Sequence, residues 1–157
     1  MESQHSMTPA APLTTEERNW AMAAHLSALV AVVGLPFGHV VGPLVVYLVK
    51  HEESEFVGEH ARSSLNYQIT VSIAAIVAVV VGIVLFAIAI AMLGLGSSQH
   101  GSGMSDAAGV GIIALWVGII LVVAALLIVS LVFIIMGTMA AGAGKPYTYP
   151  FAIKFVR

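Results

Sequence analysis

Cysteine is absent from the 157 residues, which excludes disulfides and thiolate chemistry from this chain. Charge is nearly as scarce: Asp, Glu, Lys and Arg make up 9% of the residues, against roughly 25% in ordinary soluble domains. None of the four occurs from Asn19 to Val49, and between Ser63 and Gly144 only Asp106 is charged. Segments so poor in charge cannot all form the interior of a globule this small, because too little polar surface would remain to cover them. No basic patch points to nucleic acid, and the net charge of −2 points to no charged partner.

The abundant material is apolar, at 59% of residues. Residues 69–95 and 110–137 form two long apolar runs, each about 40 Å as helix and long enough to cross a ~30 Å hydrocarbon core with tilt. Val and Ile are frequent in both, but runs of this length without turn signals are not strands, and a barrel would alternate in polarity. The expected solvent of this chain is lipid. Residues 1–13 lack the basic start and apolar core of a secretory signal and read as a disordered tail.

Thr14 and Glu17 have capping-box spacing and predict a helix over 14–33. Gly34, Pro36 and Gly38 interrupt it, since proline removes a donor and glycine frees the backbone. Helix resumes over 39–50 with Pro43 near its start, where a missing N–H does least damage. The expected fold is therefore an all-α integral membrane protein of four helical segments, the first two forming a Gly/Pro-broken hairpin. The alternative is one kinked crossing and three spans in total. A surface helix over 54–65 follows, with Phe56, Val57, Ala61 and Leu65 toward the bilayer and Glu59 paired to Arg62. Transmembrane helices over 66–96 and 109–141 come next, and residues 145–157 form an interfacial tail. Residues 14–157 thus make one membrane domain.

All six Lys and Arg residues fall on one side in the hairpin reading, and none lies in the linker between the long helices. The positive-inside bias then predicts both termini in the cytoplasm. In the tail, Tyr147, Tyr149, Phe151, Ile153 and Phe155 recur with period two and would share one face of an extended segment. With Lys154 and Arg157 they suit a headgroup-level anchor, or a tail packed under the helices.

The polar burst "HEESEFVGEHARSSLNYQ" has two histidines and four glutamates, but His51 and His60 are nine apart, which is not metal-ligand spacing. It reads as a surface helix without a catalytic or metal site, and no cofactor is expected. His25 and His39 are the polar groups within the first apolar region. They lie on opposite sides of the break and should not share a site; helix–helix hydrogen bonding is the favoured role over proton relay. Asn66 and Gln68, at the mouth of the next span, can bridge helices or satisfy the open ends of the hairpin. Ala74, Ala78 and Gly82, and Ala114, Gly118 and Ala125, form stripes of small residues that allow close helix approach.

The segments "ERNWAMAAHLSAL", "LPFGHVVGPLVVYLVKHEES", "FVGEHARSSLNYQ" and "YTYPFAIKFVR" resemble the bacterial Tic-twenty-like membrane family, a domain of unknown function distantly similar to a chloroplast inner-envelope component of protein import. The resemblance covers residues 16–157. It implies a four-segment helical fold with both termini on the cytoplasmic side, in a bacterial inner membrane, and supplies no catalytic residues. The resulting expectation is a non-enzymatic multi-pass subunit or scaffold, related to protein translocation, whose partners are the lipid bilayer and itself or other membrane proteins. The alternative is a small solute or proton-linked transporter or channel, with the broken helix ends lining its path.

Overall fold

A computed structural model describes residues 12–33, 37–97 and 106–157. Most of the expected N-terminal tail, and Gly34 and Pro36 of the expected helix break, lie outside the described residues. Among those described the chain is all-helical, with four α-helices and no strand. They are α1 (Thr15–Leu26), continued by a 3-10 helix (Ser27–Val33), then α2 (Gly38–Lys50), α3 (Glu55–Ser97) and α4 (Asp106–Gly142).

The capping box forms as its spacing requires. Thr14 Oγ1 accepts from the Glu17 backbone N–H at 3.1 Å, and the Glu17 carboxylate accepts from the Thr14 backbone N–H at 2.9 Å. The same carboxylate accepts from Ser54 Oγ at 2.7 Å, tying the start of α1 to the turn before α3. Bonds from the Thr14 backbone, then from the Ser54 and Thr14 hydroxyls, hold the Glu17 carboxyl below its ordinary range. The helix expected over 14–33 is α-helical only to Leu26. Beyond it the chain tightens into 3-10 geometry over a stretch rich in β-branched valine, where α-helix propensity is low.

Phe37 then takes a left-handed conformation (φ 59°), and its carbonyl accepts from Val40 and Val41 to start α2. That helix folds back along the first arm. At its far end Gly42 lies against the Ser27 backbone so closely that a Cβ would come within 2.5 Å of the Ser27 carbonyl oxygen. At its near end Lys50 reaches Glu16 at 3.7 Å and lies 5.2 Å from the centre of the Trp20 ring. The two arms are thus antiparallel neighbours. Pro43 falls in the second turn of α2, with its ring buried.

Three expectations are revised in α3. The surface helix over 54–65 and the span over 66–96 are one continuous 43-residue helix. No Gly or Pro separates them at 63–67, and Asn66 spends its amide on the C-terminal tail and so does not compete for its own backbone. Val57, Ala61 and Leu65, expected toward the bilayer, are 1%, 0% and 2% exposed. Val57 and Ala61 pack with Ala24 and Val46 into a core flanked by Trp20 and Tyr47. Arg62 does not pair with Glu59; its guanidinium lies over the Tyr47 ring at 5.8 Å.

Among the described residues most of the packing lies in one half of the molecule. Helices α1 and α2 pack against the near half of α3, and His39 contacts Ser72 at 2.8 Å. Beyond it, most described side chains of α3 from Ile73 to Met92 are open, as are most on α4 from Val110 to Val132. Helices α3 and α4 meet through Tyr67, which contacts Ser130 and Phe133, and near the far end through Phe86 and Trp116, whose rings are 6.2 Å apart. Among the described residues two helices are long and apolar enough to cross a membrane, Glu55–Met92 and Gly109–Gly142.

Candidate functional site: a buried imidazole pair

Among the described residues, a buried polar cluster of the packed half is built from α1, α3 and the tail. His25 is fully buried on α1, on the face it shares with Ala21 and Ala24. Its Nε2 is 2.8 Å from His60 Nδ1, and its Nδ1 is 2.9 Å from the Tyr149 hydroxyl. His60 Nε2 in turn lies 3.1 Å from the Lys145 carbonyl oxygen. Helix α4 leaves room for the His25 ring by presenting Gly137, where a Cβ would sit 2.8 Å from His25 Nδ1.

The protons in this chain of bonds are assigned by elimination. A carbonyl only accepts, so His60 Nε2 donates to Lys145. With His60 neutral, its Nδ1 accepts and His25 Nε2 donates. With His25 neutral as well, its Nδ1 accepts from the Tyr149 hydroxyl. All three bonds therefore point one way, from the Tyr149 hydroxyl to the Lys145 carbonyl. Neutrality follows from the surroundings: both rings are buried, and among the described residues no carboxylate lies within ion-pair distance of either. Burial first, and the neighbouring His60 second, hold the His25 imidazole down to about 3. Burial pushes the Tyr149 phenol up, so it remains a donor.

Aromatic rings enclose the pair. Tyr149 stacks on Tyr67 at 4.3 Å, Tyr147 meets Tyr149 edge-on at 5.1 Å, and Phe56 meets His60 at 4.6 Å. The tail is held again further along α3. Asn66 Oδ1 accepts from the Phe155 and Val156 backbones at 3.0 and 2.8 Å, its Nδ2 donates to the Val156 carbonyl at 3.0 Å, and Thr70 Oγ1 accepts from Ile153 N at 3.0 Å. The arrangement is a clamp: two neutral imidazoles and one amide fix an extended segment that has no regular structure of its own.

His25 and His39, singled out from the sequence, have separate partners: His60 and Tyr149 for the first, Ser72 for the second. Asn66 binds the tail rather than another helix. Gln68 is buried on α3, and its Nε2 has no hydrogen-bond partner among the described residues. Gly38 and Pro43 lie within α2, away from the imidazoles along the chain. His60, expected on a solvated surface helix, is 1% exposed. Its position on the stripe of Val57, Ala61, Ser64 and Leu65 was a usable signal, since that stripe is the buried face of α3. Tyr149 had no such signal, because its partner lies 124 residues away. The period-two face expected for the tail is broken at Phe151, whose left-handed backbone (φ 63°) leaves its ring 91% exposed while Tyr149 is 2% exposed. Among the described residues no group of three or more His, Asp or Glu side chains is placed to hold a metal ion.

The class these features define is an all-helical protein: a clamped helical base carrying two bare helices that are, by length and composition, long and apolar enough to cross a membrane. The chain belongs to the magnetosome magnetite crystal formation protein family, MamF/MmsF, whose model matches residues 16–156. No curated protein and no solved structure gives a significant match. The family overturns the resemblance to the Tic-twenty-like proteins, and with it the expected link to translocation: the segments that carried it lie almost entirely within the matched residues. Those segments specify a capped helix, a Gly/Pro turn and an aromatic tail. Such features fix local structure, not membership or function.

Proposed function

We propose that this chain is a non-enzymatic membrane scaffold of the compartment in which magnetite crystals form, acting through its bare apolar helices. The family supports the setting. The observation that carries the role is the open flank of α3 and α4. Of the small residues expected to pack helices together, Ala74, Ala78, Ala114 and Ala125 are exposed, and a Cβ on Gly82 or Gly118 would meet no atom of another helix among the described residues within 4 Å. Small residues in spans are where a second helix backbone approaches, so these flanks are offered to a neighbouring membrane protein or to another copy.

In this reading only α3 and α4 cross the bilayer. The stretch of α3 from Ile73 to Met92 is about 30 Å long, one hydrocarbon core by itself, whereas α2 is about 20 Å and too short to cross. The hairpin then enters or borders the membrane from one side and returns to it. Arg18, Lys50, Arg62, Lys145, Lys154 and Arg157 all belong to the hairpin, the near half of α3 and the tail, which by charge bias face the cytoplasm with both termini. A solute or proton path draws less support, because the two candidate histidines are committed to separate partners.

The test is replacement of the native chain, in a magnetite-forming cell, by Gly82→Leu and Gly118→Leu variants. The expected result is normal membrane insertion with altered crystal size or number by electron microscopy. Unchanged crystals from inserted variants would contradict a scaffold role for these flanks.

A further inference from the structure

We propose that the C-terminal segment is a docking edge for anionic lipid headgroups, presented by the imidazole–amide clamp; the proposal rests on the membrane placement above. Four observations converge on it. First, the clamp sets the segment at a defined height: Ile153 is bonded to Thr70, one helical turn below Ile73, where the bare part of α3 begins. Second, the segment turns at Pro150–Phe151, and Phe151 holds a left-handed backbone that side chains bearing a Cβ rarely adopt. The outcome of that strain is a phenyl ring 91% exposed, beside Ile153 at 57% and Phe155 at 45%. Strain held in place by surrounding bonds, and used to turn an apolar ring outward, marks a contact surface. Third, residues 143–157 contain Lys145, Lys154 and Arg157 and no acidic residue. Fourth, among the described residues none of the three cations forms an ion pair.

Aromatic side chains favour the headgroup layer, and Lys or Arg beside them are attracted to anionic lipid. The alternation of Phe151, Ile153 and Phe155 with Lys154 and Arg157 supplies both contacts within seven residues. A soluble acidic protein would satisfy the charges but leave the three apolar side chains against water. The partner chemistry that satisfies both is an anionic phospholipid surface.

The absence of native cysteine makes a single-site reporter clean. A nitroxide on Ile153→Cys would be read in nanodiscs of phosphatidylcholine alone and of phosphatidylcholine with phosphatidylglycerol, by collision with oxygen and with a water-soluble nickel chelate. A second reporter on Ile83→Cys serves as control. The expected result is that anionic lipid shields position 153 from nickel, and that Lys154→Glu with Arg157→Glu reverses this, each cation changing the docked-to-undocked ratio by roughly fivefold. Phe151→Ser should weaken the shielding as well. Nickel access in both disc types would overturn the proposal. Equal shielding in both would overturn recognition of anionic lipid, and shielding from nickel and oxygen together would assign the segment to a protein contact instead. A nickel-accessible Ile83 reporter would refute the membrane placement itself, a failure distinguishable from the others.

Discussion

Tyr149→Phe keeps the ring that stacks on Tyr67 but removes the proton that His25 Nδ1 accepts. A buried acceptor left without a donor costs about 1–3 kcal/mol, so this variant should release the tail more readily while the helices stay folded. Faster proteolysis after Lys145 or Lys154, with unchanged helical circular dichroism, is the expected readout. Acid should act on the same clamp through His25. Its folded value, about 3, lies below the ordinary histidine value near 6.5, so the unfolded or unclamped state takes up a proton first. The stabilisation is complete above pH 6.5 and declines as the pH falls toward 3, by at most about 1.4 kcal/mol per pH unit from this residue. Thermal unfolding in detergent should show that decline, and His25→Gln should make it shallower, leaving the part due to His60, whose imidazole burial also holds below its ordinary value. These bonds were legible in the sequence only in part. His25 stood out as a polar group in an apolar arm, but its role depends on Tyr149 and Lys145, which chain folding brings from the other end of the sequence.

Between elements, the decisive contacts are those where backbones touch. At Gly42→Ala the new methyl would meet the Ser27 carbonyl oxygen at 2.5 Å and its carbonyl carbon at 2.8 Å, and backbone cannot step aside as a side chain can. The arms of the hairpin would be pushed apart at a cost of about 1–3 kcal/mol. Gly82→Ala meets nothing and gains helix propensity of up to about 1 kcal/mol, so it should leave thermal stability equal or higher. Measuring both in one detergent separates packed from open glycines. The helical elements were largely readable: the Thr14–Glu17 box, the proline and glycine interruption and the two apolar runs each have a local cause. One failure has another cause. The unbroken passage of α3 through Asn66 goes with tertiary bonds, those of Asn66 to the tail above all. Sequence spacing cannot register a partner 90 residues away.

For the whole molecule the central proposal is that the first arm and α2 form a hairpin that stays on one side, and that only α3 and α4 cross. The claim rests on lengths and levels. Helix α2 turns back beside Ser72, while α3 continues for a further bilayer thickness. The most direct measurement is thiol labelling by an impermeant reagent in vesicles of both orientations, using single cysteines at Thr15, Phe37, Ser54 and Ser98. Thr15→Cys and Ser54→Cys should react from the same face, Ser98→Cys from the opposite face, and Phe37→Cys, at the hairpin turn, never from the face of Ser98. Labelling of Phe37→Cys from the Ser98 face would show a hairpin that crosses the membrane, and labelling of Thr15→Cys from that face would show a single kinked crossing; either result would contradict the account.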